Sequence, residues 1–139
     1  MIIDVHVHLG VDVVFDEEQT EEELLQFYRK YDVDGGIIQP YICRPYLDDT
    51  REIHDRIAKF TQNKEKRWWG MASINPHFRP EDYDKEANRC VKELGFVGLK
   101  ITPIAHACHP SSRDALHVFE ICRGLKVPLM IHTGAGVPF

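Results

Sequence analysis

Short apolar runs alternate with amphipathic segments along the whole chain. The runs lie near residues 2–8, 35–40, 68–74, 96–101 and 127–132. Their starts are roughly 30 residues apart, which is the length of one β-strand plus one helix and its loops. This alternation predicts an α/β fold in which parallel strands are joined by right-handed helical crossovers.

The segments between the runs carry helix signals. Thr20 and Glu23 are spaced as a capping box, in which each side chain binds a free backbone amide near the other. Pro80 suits the first turn of a helix, and Gly95 suits the position just after a helix end. The last predicted helix places three apolar side chains on one face: Leu116, Phe119 and Cys122.

Polar residues at the strand ends decide between an open sheet and a barrel. Neither a GxGxxG nor a P-loop motif follows the first strand, so a nucleotide-binding open sheet is disfavoured. The first strand instead contains Asp4, His6 and His8, and alternation directs these three side chains to one face. Val5 and Val7 then face the helices. Barrel enzymes place their active sites at the carboxyl ends of the strands.

Three histidines form the predicted metal site. His6 and His8 stand two residues apart at the end of a strand, and two such imidazoles can bind one divalent cation. His132 ends the fifth strand, before Thr133 and Gly134. In a closed barrel the first and fifth strands face each other, so His132 is predicted as the third ligand.

These segments resemble a known family. The stretches Asp4–Gly10, Gly98–Pro103 and Pro128–Gly134 are similar to the first, fourth and fifth strands of amidohydrolase-related proteins of the amidohydrolase superfamily. That branch also contains non-oxidative decarboxylases acting on carboxymuconate semialdehyde and hydroxybenzoates. The resemblance implies a metal-dependent TIM (β/α)8 barrel with a mononuclear, zinc-type centre, and by position it matches the metal histidines to His6, His8 and His132.

The resemblance also implies groups beyond this sequence. The family takes a catalytic histidine from the sixth strand and a metal-binding aspartate from the eighth, and both are expected beyond Phe139. A complete barrel needs about 250 residues, whereas this sequence has 139. Residues 1–139 are therefore interpreted as the N-terminal portion of a single truncated barrel domain, with about the first five strands.

Further residues near the carboxyl ends of the predicted strands are candidates for substrate binding. They are Arg44, whose planar fork suits a carboxylate, Asn75 after the third strand, and Lys100 at the end of the fourth. In some superfamily members the lysine at this place is carboxylated and bridges two metals, but in the branch resembled here it has a substrate-orienting or structural role.

The predicted function is metal-dependent hydrolysis of a carbonyl-type bond in an amide, ester or lactone. A divalent cation lowers the pKa of a bound water toward about 7 and polarises the carbonyl. Zinc is the expected ion, and manganese, iron and cobalt are compatible with histidine ligands. The first alternative is a metal-dependent decarboxylase (carboxy-lyase) of an aromatic or muconate-type acid. The second is a catalytically inactive half-barrel or metal-binding remnant.

Composition narrows the expected partners to small molecules, including carboxylic acids. The 17 basic and 22 acidic residues give a net charge of −5 without a basic cluster, which disfavours nucleic acid. No apolar run approaches the roughly 18 residues of a membrane span. The four cysteines form no CxxC pair, so reduced thiols and a cytoplasmic location are expected. Formation of a homo-oligomer is a further prediction.

Overall fold

The computed structural model describes residues 1–12, 16–41 and 46–134. Strands and helices alternate along these residues. In chain order the elements are β1 (Ile3–Asp12), β2 (Glu17–Gln19), α1 (Glu21–Lys30), β3 (Gly35–Pro40), α2 (Leu47–Phe60), β4 (Arg67–Ser73), α3 (Pro80–Lys92), β5 (Gly98–Ile101), α4 (Arg113–Leu125) and β6 (Leu129–Ile131).

The strands form one sheet in the order β2-β1-β3-β4-β5-β6. The five strands from β1 and β3 to β6 pair in parallel, and these are the five predicted apolar runs. The short strand β2 was not predicted. It pairs antiparallel with the end of β1, with Gly10 opposite Gln19, and its sequence Glu-Glu-Gln has no apolar alternation to reveal it.

Local sequence signals account for the helix ends. Thr20 caps α1 through the predicted capping box: its side chain accepts from the backbone N–H of Glu23, and the Glu23 carboxylate accepts from the backbone N–H of Thr20. Helix α3 begins at Pro80 as predicted. Gly95 follows its last turn with a φ of +73°, a conformation that glycine adopts without steric cost.

The core lies between the sheet and the helices that cover its outer face. Ile38, Leu99 and Ile101 are fully buried there, and the side chains of Leu24 and Tyr28 from α1 are also buried. The opposite, inner face of the sheet carries the polar residues at the strand ends. The helices therefore supply the core on one face, and the candidate site lies on the other.

Two predictions about the outer layer are wrong. Val7 is buried as expected, but Val5 is 55% exposed, because the pairing of β1 with β3 shifts register between Asp4 and Val7 and interrupts the predicted alternation there. Leu116 and Phe119 of α4 are 52% and 38% exposed. Cys122 is buried as predicted, and helix α4 buries the smaller side chains Ala115 and Val118 beside it in place of Leu116 and Phe119.

Candidate metal centre

The inner face of the sheet brings the first and fourth parallel strands of the chain together. His8 on β1 is the register partner of Gln39 on β3, and Ser73 on β4 is the partner of Lys100 on β5. Residues paired across neighbouring strands project to the same face. Lys100 reaches across this face, and its Nζ lies 2.8 Å from Nε2 of His6.

His6 and His8 converge as their spacing predicts. Their Nε2 atoms are 3.1 Å apart, and their ring centroids are 5.0 Å apart. His6 is exposed, and His8 is partly buried deeper in the strand. The backbone N–H of His6 also donates to the carboxylate of Asp4, which steadies the strand just before the histidine pair.

The surroundings of His8 determine which of its nitrogens carries the proton. Nδ1 lies 3.1 Å from the carbonyl oxygen of Pro40, and a carbonyl only accepts, so Nδ1 is the protonated nitrogen. Nε2 then presents a lone pair toward His6. The ring of Tyr41 stacks on His8 with centroids 4.8 Å apart and holds its orientation. A second-sphere carbonyl bond of this kind is typical of histidines that ligate metals.

Both histidines favour the neutral form that a cation requires. Burial, reinforced by the positive charge of Lys100, lowers the pKa of His8 to about 4. The same two causes lower the pKa of His6. Because a metal ligand must be deprotonated, imidazoles that stay neutral near pH 7 suit a divalent ion.

Lys100 is the buried cation of this face. Its side chain is 1% exposed, and burial lowers its pKa to about 8. The ammonium therefore predominates at pH 7 and donates to His6 Nε2. His6 Nε2 thus lies 3.1 Å from His8 Nε2 and 2.8 Å from the Lys100 ammonium. The two imidazole nitrogens are ligands that a divalent cation accepts, and a cation bound by both would replace the ammonium as the partner of His6 Nε2.

His132 lies near this pair. Its ring centroid is 6.5 Å from that of His6, with the rings nearly perpendicular. A Cβ placed on Gly134 would lie 2.7 Å from His132 Nε2, so this nitrogen turns toward its own loop. Nothing in the described residues shows His132 as a third ligand, and that role stays a prediction.

The other predicted substrate contacts are Arg44 and Asn75. Arg44 lies outside the described residues. The side-chain oxygen of Asn75 accepts from the backbone N–H of His77, 3.0 Å away, which shapes the loop after β4.

A second cluster, missed at the level of sequence, lies between α2, α3 and β4. His54, Glu86 and Cys90 are fully buried, and their ligand-type atoms all lie within 4.8 Å of one another. His54 Nδ1 is 2.8 Å from a Glu86 oxygen and 3.2 Å from Cys90 Sγ. The sequence does contain a signal for this cluster, because the apolar stripes of the helices α2 and α3 each include a polar residue.

The hydrogen bonds of this cluster indicate a structural role. The backbone N–H of Ser73 donates to His54 Nε2, so Nε2 is the unprotonated nitrogen and Nδ1 donates to Glu86. A metal on Nδ1 would require the opposite tautomer. Arg51 and Arg89 already neutralise Glu86. The cluster therefore ties two helices to the carboxyl end of β4.

Comparison with known proteins places this arrangement in a family. Residues 3–138 match the model of the family described as amidohydrolase. The 2-amino-3-carboxymuconate-6-semialdehyde decarboxylase of Dictyostelium discoideum is 29% identical over 86 residues, which cover 62% of this chain and 24% of that protein.

Solved structures agree on the fold. The 2,6-dihydroxybenzoate decarboxylase from Rhizobium matches with a TM-score of 0.75 and 15% identity, over 99% of this chain and 51% of that one. A dihydroxybenzoic acid decarboxylase from Polaromonas, solved with manganese and 2-nitroresorcinol, matches with a TM-score of 0.73 and 18% identity, over 99% and 50%. The chain thus spans about half the length of these structures and folds as the corresponding part of their TIM barrel. It belongs to the amidohydrolase family.

Proposed function

We propose that the chain forms the first part of a metal-dependent, non-oxidative decarboxylase that acts on an aromatic or muconate-type acid. The relatives named above are called decarboxylases, which favours loss of CO2 over the hydrolysis expected from the sequence. When bound, a divalent ion supplies Lewis-acid polarisation of the oxygen atoms of the acid.

The convergence of His6 and His8 is the observation that carries the proposal. Their Nε2 atoms lie 3.1 Å apart, and the bond from His8 Nδ1 to Pro40 leaves the Nε2 lone pair of His8 free. These two residues would hold the ion. His132, whose ring centroid is 6.5 Å from that of His6, is proposed as a further ligand. Manganese occurs in several of the similar structures, and zinc is also compatible with imidazole ligands.

In this proposal, the ammonium of Lys100 attracts the carboxylate of the substrate. Its ammonium is buried on the inner face, where a carboxylate is attracted more strongly than in bulk water. Arg44 and Asn75 remain proposed contacts for the same substrate. The family resemblance places a catalytic histidine and a metal-binding aspartate outside residues 1–139, so the proton that replaces CO2 is assigned to no residue of this chain.

The proposal is tested by assaying the protein that carries this chain after loading it with manganese or zinc. The probe is 2,6-dihydroxybenzoate, with CO2 release measured directly, and hydrolysis of a lactone and an ester is measured in parallel. CO2 release that disappears in Lys100→Met and in a His6→Ala, His8→Ala variant supports the proposal. Hydrolysis without CO2 release would support the hydrolase function instead. Bound metal with neither activity would indicate a metal-binding remnant.

Location and assembly remain predictions. No helix in the described part of the chain is both long and apolar enough to cross a bilayer. Cytoplasmic location and self-association are proposed on the composition and the family resemblance alone.

A further inference from the structure

Gln39 is a buried polar side chain whose hydrogen-bonding capacity is unused. It is 0% exposed. Within the described residues, neither its amide nitrogen nor its amide oxygen has a hydrogen-bond partner. Burying a carboxamide without partners is unfavourable, and an apolar side chain of the same length would avoid the penalty. An unsatisfied polar group of this kind calls for an explanation beyond packing.

The position of Gln39 ties it to the candidate metal centre. It is the penultimate residue of β3 and the register partner of His8, so the two side chains project to the same inner face. The next residue, Pro40, provides the carbonyl that orients His8, and Tyr41 stacks on the His8 ring. Three consecutive residues of the chain are thus arranged around one histidine.

The chemistry of the carboxamide limits what it can recognise. It is neutral, and it offers an N–H donor and a carbonyl acceptor side by side. A carboxylate needs a donor, which Nε2 provides, and a hydroxyl on the neighbouring carbon needs an acceptor, which Oε1 provides. Lys100, a charged group of the same face, donates only, so it cannot accept a hydrogen bond from the hydroxyl as Oε1 of Gln39 can.

We infer that Gln39 is a specificity-determining contact for an ortho-hydroxy carboxylic acid. Its Nε2 donates to a carboxylate oxygen, and its Oε1 accepts from the neighbouring hydroxyl. This inference rests on the proposed function, because it requires an acid to bind beside His8. A site built to bond a hydroxyl discriminates strongly against the analogue that lacks it, since its own polar groups are then left unpaired.

The test compares two ligands and two variants of the manganese-loaded protein that carries this chain. The ligands are 2-hydroxybenzoate and benzoate, and their dissociation constants are measured by calorimetry. Gln39→Met keeps the length of the side chain and removes both hydrogen-bonding groups. Gln62→Met makes the same change at an exposed position after α2 and serves as the control. Metal content and the urea midpoint of the unliganded protein are measured for each.

The inference predicts opposite effects on binding and on stability. In Gln39→Met the affinity for 2-hydroxybenzoate falls about 100-fold and that for benzoate about tenfold, because the hydroxy acid loses two hydrogen bonds and benzoate one, each worth roughly a factor of ten. The urea midpoint rises, since two unsatisfied buried groups are removed. Metal content is unchanged, and Gln62→Met matches the wild type in all three measurements.

Two outcomes would overturn the inference. A lower urea midpoint with an unchanged preference for the hydroxy acid would mean that Gln39 supports the fold through a buried water. An equal loss for both ligands would mean that it contributes shape and no recognition of the hydroxyl. The preference ratio within one variant is independent of how much protein is folded. If the wild type binds no metal or neither acid, the proposed function itself has failed.

Discussion

The buried carboxylate of Glu86 provides the most quantitative test of the fold around the site. It accepts hydrogen bonds from His54, Arg89 and Arg51, and its side chain is 0% exposed. Glu86→Gln removes the charge and keeps the shape. The amide that replaces one oxygen can only donate, so it faces the N–H groups of the arginines without an acceptor.

The size of the effect follows from the pKa of this carboxyl group. Burial alone would raise it, but the hydrogen bonds from His54 and Arg89 outweigh burial and lower the pKa of Glu86 from 4.5 to about 2. A shift of this size corresponds to about 3 kcal/mol of folding free energy. Removing one partner of a buried ion pair costs a similar amount, about 3–5 kcal/mol. We therefore expect Glu86→Gln to lose about 3 kcal/mol at pH 7.

The assay is urea unfolding at several pH values, with the exposed Glu52→Gln as the matched control on α2. With a urea dependence of about 1.5 kcal/mol per molar, the midpoint of Glu86→Gln falls by about 2 M. A lowered pKa contributes stability above the unfolded value and loses it as the pH falls toward about 2. The gap to wild type should therefore shrink to less than half near about pH 3. A loss equal to that of Glu52→Gln, or a gap independent of pH, would refute the reasoning.

Three other predictions concern packing and thiol chemistry. Gly124→Ala should stabilise the protein by about 1 kcal/mol in thermal unfolding, because Gly124 is helical and nothing lies within 4 Å of the added carbon. Gly35→Ala should cost about 2–3 kcal/mol in the same measurement, because its Cβ would lie 1.9 Å from the carbonyl oxygen of Arg67. Burial raises the pKa of the Cys90 thiol, and it raises that of Cys122 to about 11. Neither thiol should react with a disulfide reagent at pH 8 until urea is added, and labelling of the native protein at either position would contradict the burial.

The periodicity of the sequence predicts the parallel part of the fold, because burial of these strands requires apolar residues at regular positions. Strands covered by helices must be apolar, so the five runs stand out, and Thr20 and Pro80 reveal the starts of their helices through local bonding alone. The pattern does not predict strand β2, because this strand is polar and is held by backbone pairing to β1. The exposure of Val5 is not predicted either, because the register of β1 against β3 shifts between Asp4 and Val7 and the alternating pattern of the sequence does not show this irregularity.

The candidate site is predictable only where it is local. The His6–His8 pair follows from strand alternation within three residues, and the structure brings the two together. The contact of Lys100 with His6 joins residues 94 positions apart and requires the curvature of the sheet. The rotation of His132 toward Gly134 depends on a loop conformation that has no signal in the sequence.

The central claim is that His6 and His8 hold a divalent ion. Elemental analysis of the protein purified without chelator tests it most directly, with His6→Ala, His8→Ala as one variant and the exposed His109→Ala as the control. The account predicts about one divalent ion per chain in the wild type and in His109→Ala, and none in the double variant. An ion that persists in the double variant and is lost from His54→Ala would contradict the account, because it would place the metal in the cluster of His54, Glu86 and Cys90.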